Sequence, residues 1–521
     1  MSSYILECLS AKNIDMKKFL NKCVQILVLV IPVSFYSCDK FLEEEPYSFL
    51  APENFYQNED DAFSALVGAY AGLGDQSTTF LARTVPYLMM FTSDECASPT
   101  MATQNQLDRF TFNATHSDID LVWTQMYDAI NRANVVINRV GSIIMDETIK
   151  QQFIGEARFI RALCYFYGVR FWGGLPLVVN EVTSVEEVST LSRSPLSDVY
   201  RMIIEDLEFA SQILPLANQD GRATRGAAKA LLAKVYLTRA SSEAADSNDY
   251  QLCADLSKEI IDMPHYRLVE DYQDAVGPHN KFNTESIFEW NADRTIQEGK
   301  HSTFGHFMLP RDILGIYPEA GQAGSSGYVS EVAYFNLYDD RDYRKESTFI
   351  THGRNRNGQD IPWTQFTIPF PSPAKKYIHK YGESRNVIGF SANFVVLRLA
   401  DVYLMRAEAL NEISGPTTEA YEMINAIRAR ARNGNGVSSN SFPVDLSGLT
   451  KDEFRDSVLH ERAIELGFEG HRWFDLVRTN RMVETIKRAN PAFPVSERHM
   501  LFPIPADEIL INTNIVQNPG W

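Results

Sequence analysis

The sequence predicts a mainly α-helical protein that is built from pairs of antiparallel helices. Residues 59–264 and 394–521 carry apolar residues at helical spacing. Between them, residues 265–393 lose that spacing and are rich in glycine, proline and aromatic residues. Small residues such as Ala227 and Ala230 let neighbouring helices approach closely, as helical-repeat scaffolds require. We therefore predict a degenerate TPR-like scaffold of helix pairs with one loop-rich, aromatic-rich binding subdomain.

Composition bounds the class of protein. The 521 residues are 45% hydrophobic and 12% aromatic, which is enough for a large packed core. The formal net charge of −18 predicts an acidic surface, which argues against nucleic acid and anionic membrane as partners. Cys96, Cys164 and Cys253 are widely spaced and form no CxxC, so we expect no disulfide framework, no metal site and no cofactor. Cys164 lies in an apolar helical pattern and is predicted to be a core residue.

The start of the chain has the pattern of a bacterial lipoprotein signal, which we assign to residues 1–37. A basic stretch, residues 17–22, precedes an apolar run, residues 24–33, that is too short to span a bilayer comfortably. The small residue Ser37 then precedes Cys38. We expect cleavage before Cys38 and acylation of its thiol and new amine, with palmitate among the acyl chains. The alternative is a soluble exported protein in which Cys38 is incidental.

Two further expectations concern this end of the chain. Residues 1–15 lack signal character, which predicts that translation starts at Met16. Residues 38–58 begin with a charged run and are predicted to be a lipidated tether that holds the folded body away from the membrane.

Apolar residues at helical spacing predict six helices in the first helical region and four in the second. Residues near 75–118 interrupt the first region and are predicted to be an ordered loop insertion, because aromatic residues are interspersed there. The C-terminal tail ends on an aromatic residue and is predicted to be docked. The predicted helices are 60–72, 119–137, 147–171, 196–214, 227–240, 250–263, 397–410, 419–432, 451–468 and 472–478.

One cluster of carboxylates raises the question of catalysis. Glu461, Glu465 and Glu469 lie at i, i+4 and i+8 and share one helix face. A glycosidase needs two carboxylates about 5 to 9.5 Å apart. Arginines nearby favour a buried ion-pair lattice between helices instead. The arginines that we expect to pair with the three carboxylates are Arg462, Arg472 and Arg478.

Other catalytic motifs are absent from the sequence. His460 and Glu461 are not followed by a histidine at position 464, so they do not form a zinc-binding helix. The glycine-rich residues 321–327 lack the Lys-Ser/Thr of a phosphate-binding loop. No Gly-x-Ser-x-Gly occurs. We therefore expect no enzymatic activity and no catalytic residues.

Several blocks of the sequence, taken together and in order, carry a resemblance to a known family. They resemble the SusD/RagB family, the outer-membrane nutrient-binding lipoproteins of Bacteroidota. The blocks are 38–42 (CDKFL), 155–162 (GEARFIRA), 171–178 (FWGGLPLV), 398–409 (RLADVYLMRAEA), 461–476 (ERAIELGFEGHRWFDL), 502–505 (FPIP) and 517–521 (QNPGW).

The resemblance implies a function and its partners. It implies a lipid-anchored protein at the cell surface that captures oligosaccharides for polysaccharide utilisation and passes them to a SusC-type TonB-dependent transporter. It also implies that residues 59–264 and 394–521 are the two helical regions of the family and that 265–393 is the ligand-binding subdomain. Three alternatives remain open: a RagB-like protein that captures peptides, a surface glycan hydrolase, and a helical scaffold that binds only protein.

Sugar rings present flat C–H faces, and aromatic side chains offer apolar planes on which such faces can lie. Polar side chains then bind the hydroxyl groups. We expect the aromatic residues on helix stripes, such as Trp123 and Trp172, to be core residues, and the ligand contacts to lie in the two irregular regions. The predicted ligand-binding residues are Trp290, Tyr317, Tyr328, Trp363, Arg83, Asn105 and Asp108.

Overall fold

The structure is a computed structural model, and residues 57–521 form one compact unit. It describes residues 55–74, 80–292, 304–311, 313, 324–377, 392–434 and 441–521. Cys38 and Tyr317, together with the predicted signal and most of the tether, lie outside these residues.

Long helices of the first region pack side by side in chain order, as a TPR-like scaffold requires. Each long helix of this region packs on the next long helix along the chain, and the last of them packs on the second region. All six predicted helices are confirmed, with ends shifted by a few residues. The scaffold helices are α1 (Glu59–Gly74), α4 (Ser117–Arg139), α5 (Glu147–Trp172), α6 (Leu196–Ile213), α7 (Arg225–Arg239) and α8 (Asp249–Ile261).

Helix α5 shows why the local sequence sets these boundaries. The side chain of Asp146 accepts hydrogen bonds from the backbone N–H groups of Thr148 and Ile149 and so caps the start of the helix. The helix ends at Gly173, whose φ of +75° is a backbone conformation that favours glycine. Trp172 and Cys164 are completely buried, which confirms both as core residues.

The second helical region packs around its own apolar centre. Leu404, Ile424, Phe454 and Val458 are completely buried there. The capping box of Thr450 and Glu453 fixes the start of one of its helices. The region contains β6 (Phe394–Arg398), α12 (Leu399–Ser414), α13 (Thr418–Ala431), α14 (Lys451–Glu465), α15 (Arg472–Arg478), α16 (Met482–Ala489) and α17 (Ala506–Ile511).

The insertion near 75–118 is more helical than the sequence predicts. A π-helical turn at Phe80–Thr84 leads into α2 (Val85–Phe91), the short strand β1 (Cys96–Ala97) and α3 (Ala102–Asp108). All seven residues of α2 are buried. Because every face of that helix is covered, its sequence has no polar stripe and no helical periodicity, which is why the pattern indicated loops.

The region between the two helical stretches contains only short elements among the residues that the structure describes. The strand at Ser286–Trp290 pairs antiparallel with β6 and so joins this region to the scaffold. The strands at His352–Arg354 and Asp360–Pro362 form a hairpin. The elements are β2 (Ser286–Trp290), α9 (Phe304–Met308), β3 (Val329–Ser330), α10 (Val332–Phe335), α11 (Tyr343–Thr348), β4 (His352–Arg354) and β5 (Asp360–Pro362).

The C-terminal tail is docked, as predicted. The backbone N–H of Phe502 donates to the carbonyl oxygen of Phe171 at 2.8 Å, and the indole of Trp172 donates to Pro503 at 3.0 Å. The ring of Trp521 stacks on Phe112 with centroids 5.2 Å apart. The tail therefore covers the end of α5.

The described residues lack two features that would bear on function. Among them, no helix combines the length and apolar character that crossing a bilayer demands. Within the same part of the chain, histidine, cysteine and carboxylate side chains form no group that could hold a metal ion.

Candidate functional site

The two irregular regions meet at a small antiparallel ladder. Strand β1 pairs with β3, with Cys96 opposite Ser330 and Ala97 opposite Val329. The hydroxyl of Ser98 also donates to the carbonyl oxygen of Gly327 at 3.1 Å. We call this place, residues 80–110 together with 324–331, the loop junction.

A compact aromatic cluster fills the loop junction. Tyr328 donates a hydrogen bond from its hydroxyl to the hydroxyl of Tyr87, and both rings are buried. The ring of Tyr328 also packs against Phe91 and Phe307, each with centroids 5.1 Å away. The guanidinium of Arg83 lies 5.0 Å from the centroid of Tyr87 and is half-buried. Arg83 and Tyr328, predicted from two distant segments, therefore belong to one cluster.

Asn105 and Asp108 both fix the backbone of Ser98. Asn105 donates to its carbonyl oxygen at 2.9 Å, and Asp108 accepts from its N–H at 3.2 Å. Burial raises the pKa of Asp108 to about 7, and the nearby carboxylate of Glu331 adds to the rise. Asn105 is half-buried and Asp108 is buried. These two residues shape the loop junction, and Asn105 also keeps some contact with solvent.

Trp290 is placed differently from the expectation. It is only 7% exposed, and its indole N–H donates to the carbonyl oxygen of Gly74 at 2.7 Å. A Cβ atom at Gly74 would lie 2.3 Å from the indole nitrogen, so this close contact requires glycine. In this structure Trp290 packs strand β2 against the end of α1 and presents no open ring face.

Trp363 lies directly after the β4–β5 hairpin and is half-buried. Its backbone N–H donates to Thr351 at 2.8 Å, and its ring meets Phe335 edge-on at 5.9 Å. The neighbouring Thr364 and Gln365 are exposed. Of the predicted aromatic residues that the structure describes, Trp363 is the one with substantial exposed surface.

Sequence analysis missed the partners that organise the loop junction. Tyr87 and Phe91 stand at i and i+4 in α2 and both contact Tyr328. Thr100 donates from its hydroxyl to the carbonyl oxygen of Ser326 at 3.3 Å. The i, i+4 spacing of the two rings was the available signal, but it was hidden because the whole segment is apolar.

The carboxylates of α14 and the turn after it are held in a buried lattice of ion pairs. Arg398 binds Glu285, Glu465 and Glu469, each at 2.7 Å. Lys376 binds Glu469 at 2.6 Å. We call this the ion-pair lattice; its members are Glu285, Arg344, Lys376, Arg398, Arg428, Arg430, Glu461, Glu465 and Glu469.

The charges of the ion-pair lattice oppose a catalytic role for these carboxylates. Burial alone would raise the pKa of Glu465, but Arg430, Arg398 and Arg344 outweigh it and hold the pKa well below its usual value. Burial is likewise outweighed at Glu469, whose pKa falls to about 2 beside Arg398 and Lys376. A general acid for glycoside hydrolysis needs a raised pKa. The lattice is therefore structural, as predicted.

The predicted partners of these carboxylates were wrong, however. Arg462 pairs with Asp401 and Asp475, each at 2.8 Å. Arg472 pairs with Asp94 at 2.7 Å, and Arg478 pairs with Glu408. Arg462 directly follows Glu461 in α14 and so lies about 100° around the helix axis from it, facing a different neighbour. Arg472 and Arg478 lie on a separate helix, so the spacing within α14 does not set their partners.

A helical-repeat scaffold that carries a junction of loops is an architecture typical of binding proteins. Comparison with known proteins identifies the class of protein to which this chain belongs. Residues 269–521 match a family model described as "SusD family". Residues 40–237 match one described as "Starch-binding associating with outer membrane". The two matches account for most of the chain.

Individual relatives agree with these models. "SusD-like protein P2" of Formosa agariphila is 30% identical, covering 97% of this chain and 100% of the relative. A "SusD-like protein" of Bacteroides ovatus is 27% identical over 87% of this chain and 81% of that protein. The chain belongs to the SusD family.

Solved structures support the fold. A SusD homolog from Bacteroides thetaiotaomicron superimposes with a TM-score of 0.80 and 26% identity, covering 90% of this chain and 98% of that one. A structure described as "Laminarin binding SusD-like protein" has a TM-score of 0.72 and 27% identity, covering 89% of this chain and 100% of that one. The mainly helical, TPR-like fold is thereby confirmed.

Proposed function

We propose that this protein binds oligosaccharides at the bacterial cell surface, without cleaving them, and delivers them to a SusC-type TonB-dependent transporter. The observation that carries the proposal is membership of the SusD family over nearly the whole chain. The family model described as starch-binding and associated with the outer membrane, and the laminarin-binding relative, support a glycan ligand.

The loop junction and Trp363 supply the chemistry that such a ligand needs. Arg83 and Asn105 are polar side chains with part of their surface exposed, and Trp363 offers part of an aromatic plane. Tyr328 and Asp108 are buried and would act by holding this surface in shape. Tyr317 remains a proposed contact, and Trp290 would act only through packing.

Isothermal titration calorimetry tests the proposal. Oligosaccharides from laminarin and starch, and a panel of short peptides, are titrated into the protein, and the same mixtures are assayed for new reducing ends. Binding of a glycan without product supports the proposal. Product formation would assign a hydrolase, peptide binding a peptide-capturing protein, and no binding a protein-only scaffold.

Single variants locate the site. Arg83→Ala, Tyr317→Ala and Trp363→Ala are each expected to leave the melting temperature nearly unchanged, and at least one should weaken glycan binding about tenfold or more. Arg488→Ala is the matched control, because Arg488 is 72% exposed at the side chain and pairs with Glu484 on its own helix. Normal binding by all three variants would place the site elsewhere.

Tyr328 needs a different substitution because its ring is packed. Tyr328→Ala is expected to lower the melting temperature, whereas Tyr328→Phe removes only the hydroxyl that donates to Tyr87. A loss of glycan affinity in Tyr328→Phe at unchanged stability would show that the hydroxyl pair orders the binding surface.

Anchoring by Cys38 is a separate part of the proposal. A tether needs its acyl chains to hold, so Cys38→Ala should move the protein from the outer-membrane fraction to the soluble fraction in cells that lack the transporter. Membrane fractionation of the variant under those conditions would contradict lipid anchoring at Cys38.

A further inference from the structure

An apolar groove lies on the scaffold, formed by residues other than those of the loop junction. It has a cavity volume of about 340 Å³ and runs between α4, the segment 176–191 and the segment 508–515. Trp123 and Tyr127 of α4 lie along it. Its aliphatic lining residues are Val178, Val182, Val185, Val188, Leu191, Ile511 and Ile515. We call it the valine groove.

Asparagine side chains build the walls of the valine groove. Asn131 accepts from the N–H of Val182 at 2.8 Å, and Asn134 donates to the carbonyl oxygen of Val178 at 2.9 Å. Asn512 donates to Leu191 at 2.7 Å and so ties the C-terminal segment to the wall. These bonds pair polar groups of the groove walls with one another. The surface that the groove offers to an occupant is therefore mainly aliphatic.

Aliphatic side chains are also exposed beside the groove. Val185 is 66% exposed, and Leu510, Ile511 and Val516 are 77%, 65% and 72% exposed. Val185 and Ile511 line the groove itself. Leu510 lies within the segment 508–515, and Val516 comes directly after that segment. Contiguous exposed apolar surface of this kind marks interaction sites more often than isolated exposed residues do.

Carboxylates of like charge crowd one edge of the groove. Burial and the carboxylate of Asp507 raise the pKa of Asp120. Burial, Asp120 and Asp507 raise the pKa of Glu508, which lines the groove. Within the described part of the chain, neither Asp120 nor Asp507 is in an ion pair. A positive charge placed at this edge would relieve the repulsion.

We propose that the valine groove docks a partner protein through a segment whose aliphatic side chains are flanked by lysine or arginine. The aliphatic walls select the apolar side chains, and the acidic edge selects the basic flanks. A second copy of this chain is a poor occupant, because the chain carries a net charge of −18 and the copies repel. The proposal does not depend on glycan binding.

Two synthetic peptides test the proposal in the folded protein. Both carry a fluorescent label and the same central run of leucine and valine; one is flanked by lysines and the other by glutamates. Fluorescence anisotropy should give an affinity about tenfold or more higher for the lysine-flanked peptide, and added salt should narrow the difference.

Single substitutions test whether the two peptides bind in the valine groove. Val185→Asp should abolish binding of both peptides, and Asp507→Lys should remove the preference for lysine flanks. Val444→Asp is the matched control, because Val444 is also exposed, at 58%, and does not line the groove. It should bind like the unmodified protein.

Three results would overturn the proposal. They are failure of the unmodified protein to bind the lysine-flanked peptide, equal affinity for both peptides, and unchanged binding by Val185→Asp. Sedimentation velocity provides a further test: a concentration-dependent dimer that Val185→Asp abolishes would assign the groove to a second copy of this chain instead.

Discussion

Buried carboxylates of the ion-pair lattice and of the loop junction differ in their proton affinity, although both are removed from water. In the lattice, several cations contact Glu465 and Glu469 and hold their pKa values low. In the loop junction, burial raises the pKa of Glu95 to about 8 and that of Asp108 to about 7. Within the described residues, neither of these two carboxylates is in an ion pair.

The contrast shows that partners, and not burial, decide the charge of a buried carboxylate. The ion-pair lattice holds Glu465 and Glu469 ionised, because the neighbouring cations outweigh the cost of desolvation. The loop junction holds carboxylates that gain or lose a proton near neutral pH. The part of the molecule proposed to face the ligand therefore contains carboxylates whose charge responds to mild changes of pH.

The carboxylates of the two regions change the stability of the fold with pH in opposite directions. Glu465 and Glu469 have folded pKa values below their unfolded values, so their contribution to stability is present above about pH 4 and is lost as the pH falls towards 2. Glu95 and Asp108 have raised folded values, so their contribution is present below about pH 4 and is lost as the pH rises to about 7 to 8.

Removing a cation from the ion-pair lattice should have the largest effect. Arg398→Met leaves Glu285, Glu465 and Glu469 without their shared partner, and breaking a buried pair costs about 3–5 kcal/mol. Urea unfolding at pH 7 measures the loss. Arg488→Met, at an exposed site, should change stability by no more than about 0.5 kcal/mol. A loss of similar size in both variants would refute a special role for the lattice.

Neutralising Glu95 should have the opposite sign. Glu95→Gln keeps a side-chain oxygen that can accept from the N–H of Phe468, a bond of 3.1 Å, and removes the cost of burying a charge. We expect a gain of about 2–4 kcal/mol at pH 8 that shrinks to about 1 kcal/mol at pH 5. Thermal unfolding at the two pH values measures it. A gain independent of pH would show that the charge of Glu95 is not the cause.

Neutralising Asp108 should give a gain of similar size, because its ordinary pKa and its raised pKa both lie lower than those of Glu95. Asp108→Asn retains an oxygen that can accept from the N–H of Ser98. We expect about 2–4 kcal/mol at pH 8 and about 0.5 kcal/mol at pH 4. Destabilisation at pH 8 would mean that the negative charge itself is needed to hold the Ser98 backbone.

The sequence predicts the helical scaffold better than it predicts the loop junction. The scaffold helices follow from apolar residues at helical spacing over several turns, with exposed polar faces on helices such as α4 and α6. The loop junction does not, because α2 is buried on every face and leaves no periodic signal. The hydrogen bond between Tyr87 and Tyr328 joins residues 241 positions apart, and no local pattern indicates such a contact.

The carboxylates of the ion-pair lattice show the same limit at the level of side chains. Their spacing predicts one shared helix face. Glu461 and Glu465 do lie on α14, but the helix ends at Glu465, so Glu469 joins the lattice from the turn that follows. Their partners come from segments distant in the chain, such as Arg344, which is 117 positions before Glu461. The sequence could therefore indicate that the charges are paired, but not with which residues.

The wide spacing of the lattice members has a consequence for how the chain folds. Arg430 and Glu285 are 145 positions apart, so the full set of lattice pairs cannot form until several segments have already come together. Contacts between distant positions slow folding. Local unfolding of any one of these segments would leave buried charges on the other segments without their partners. We expect amide hydrogens around the lattice to exchange only through large, concerted openings, at one common rate, and those of the exposed hairpin to exchange much faster.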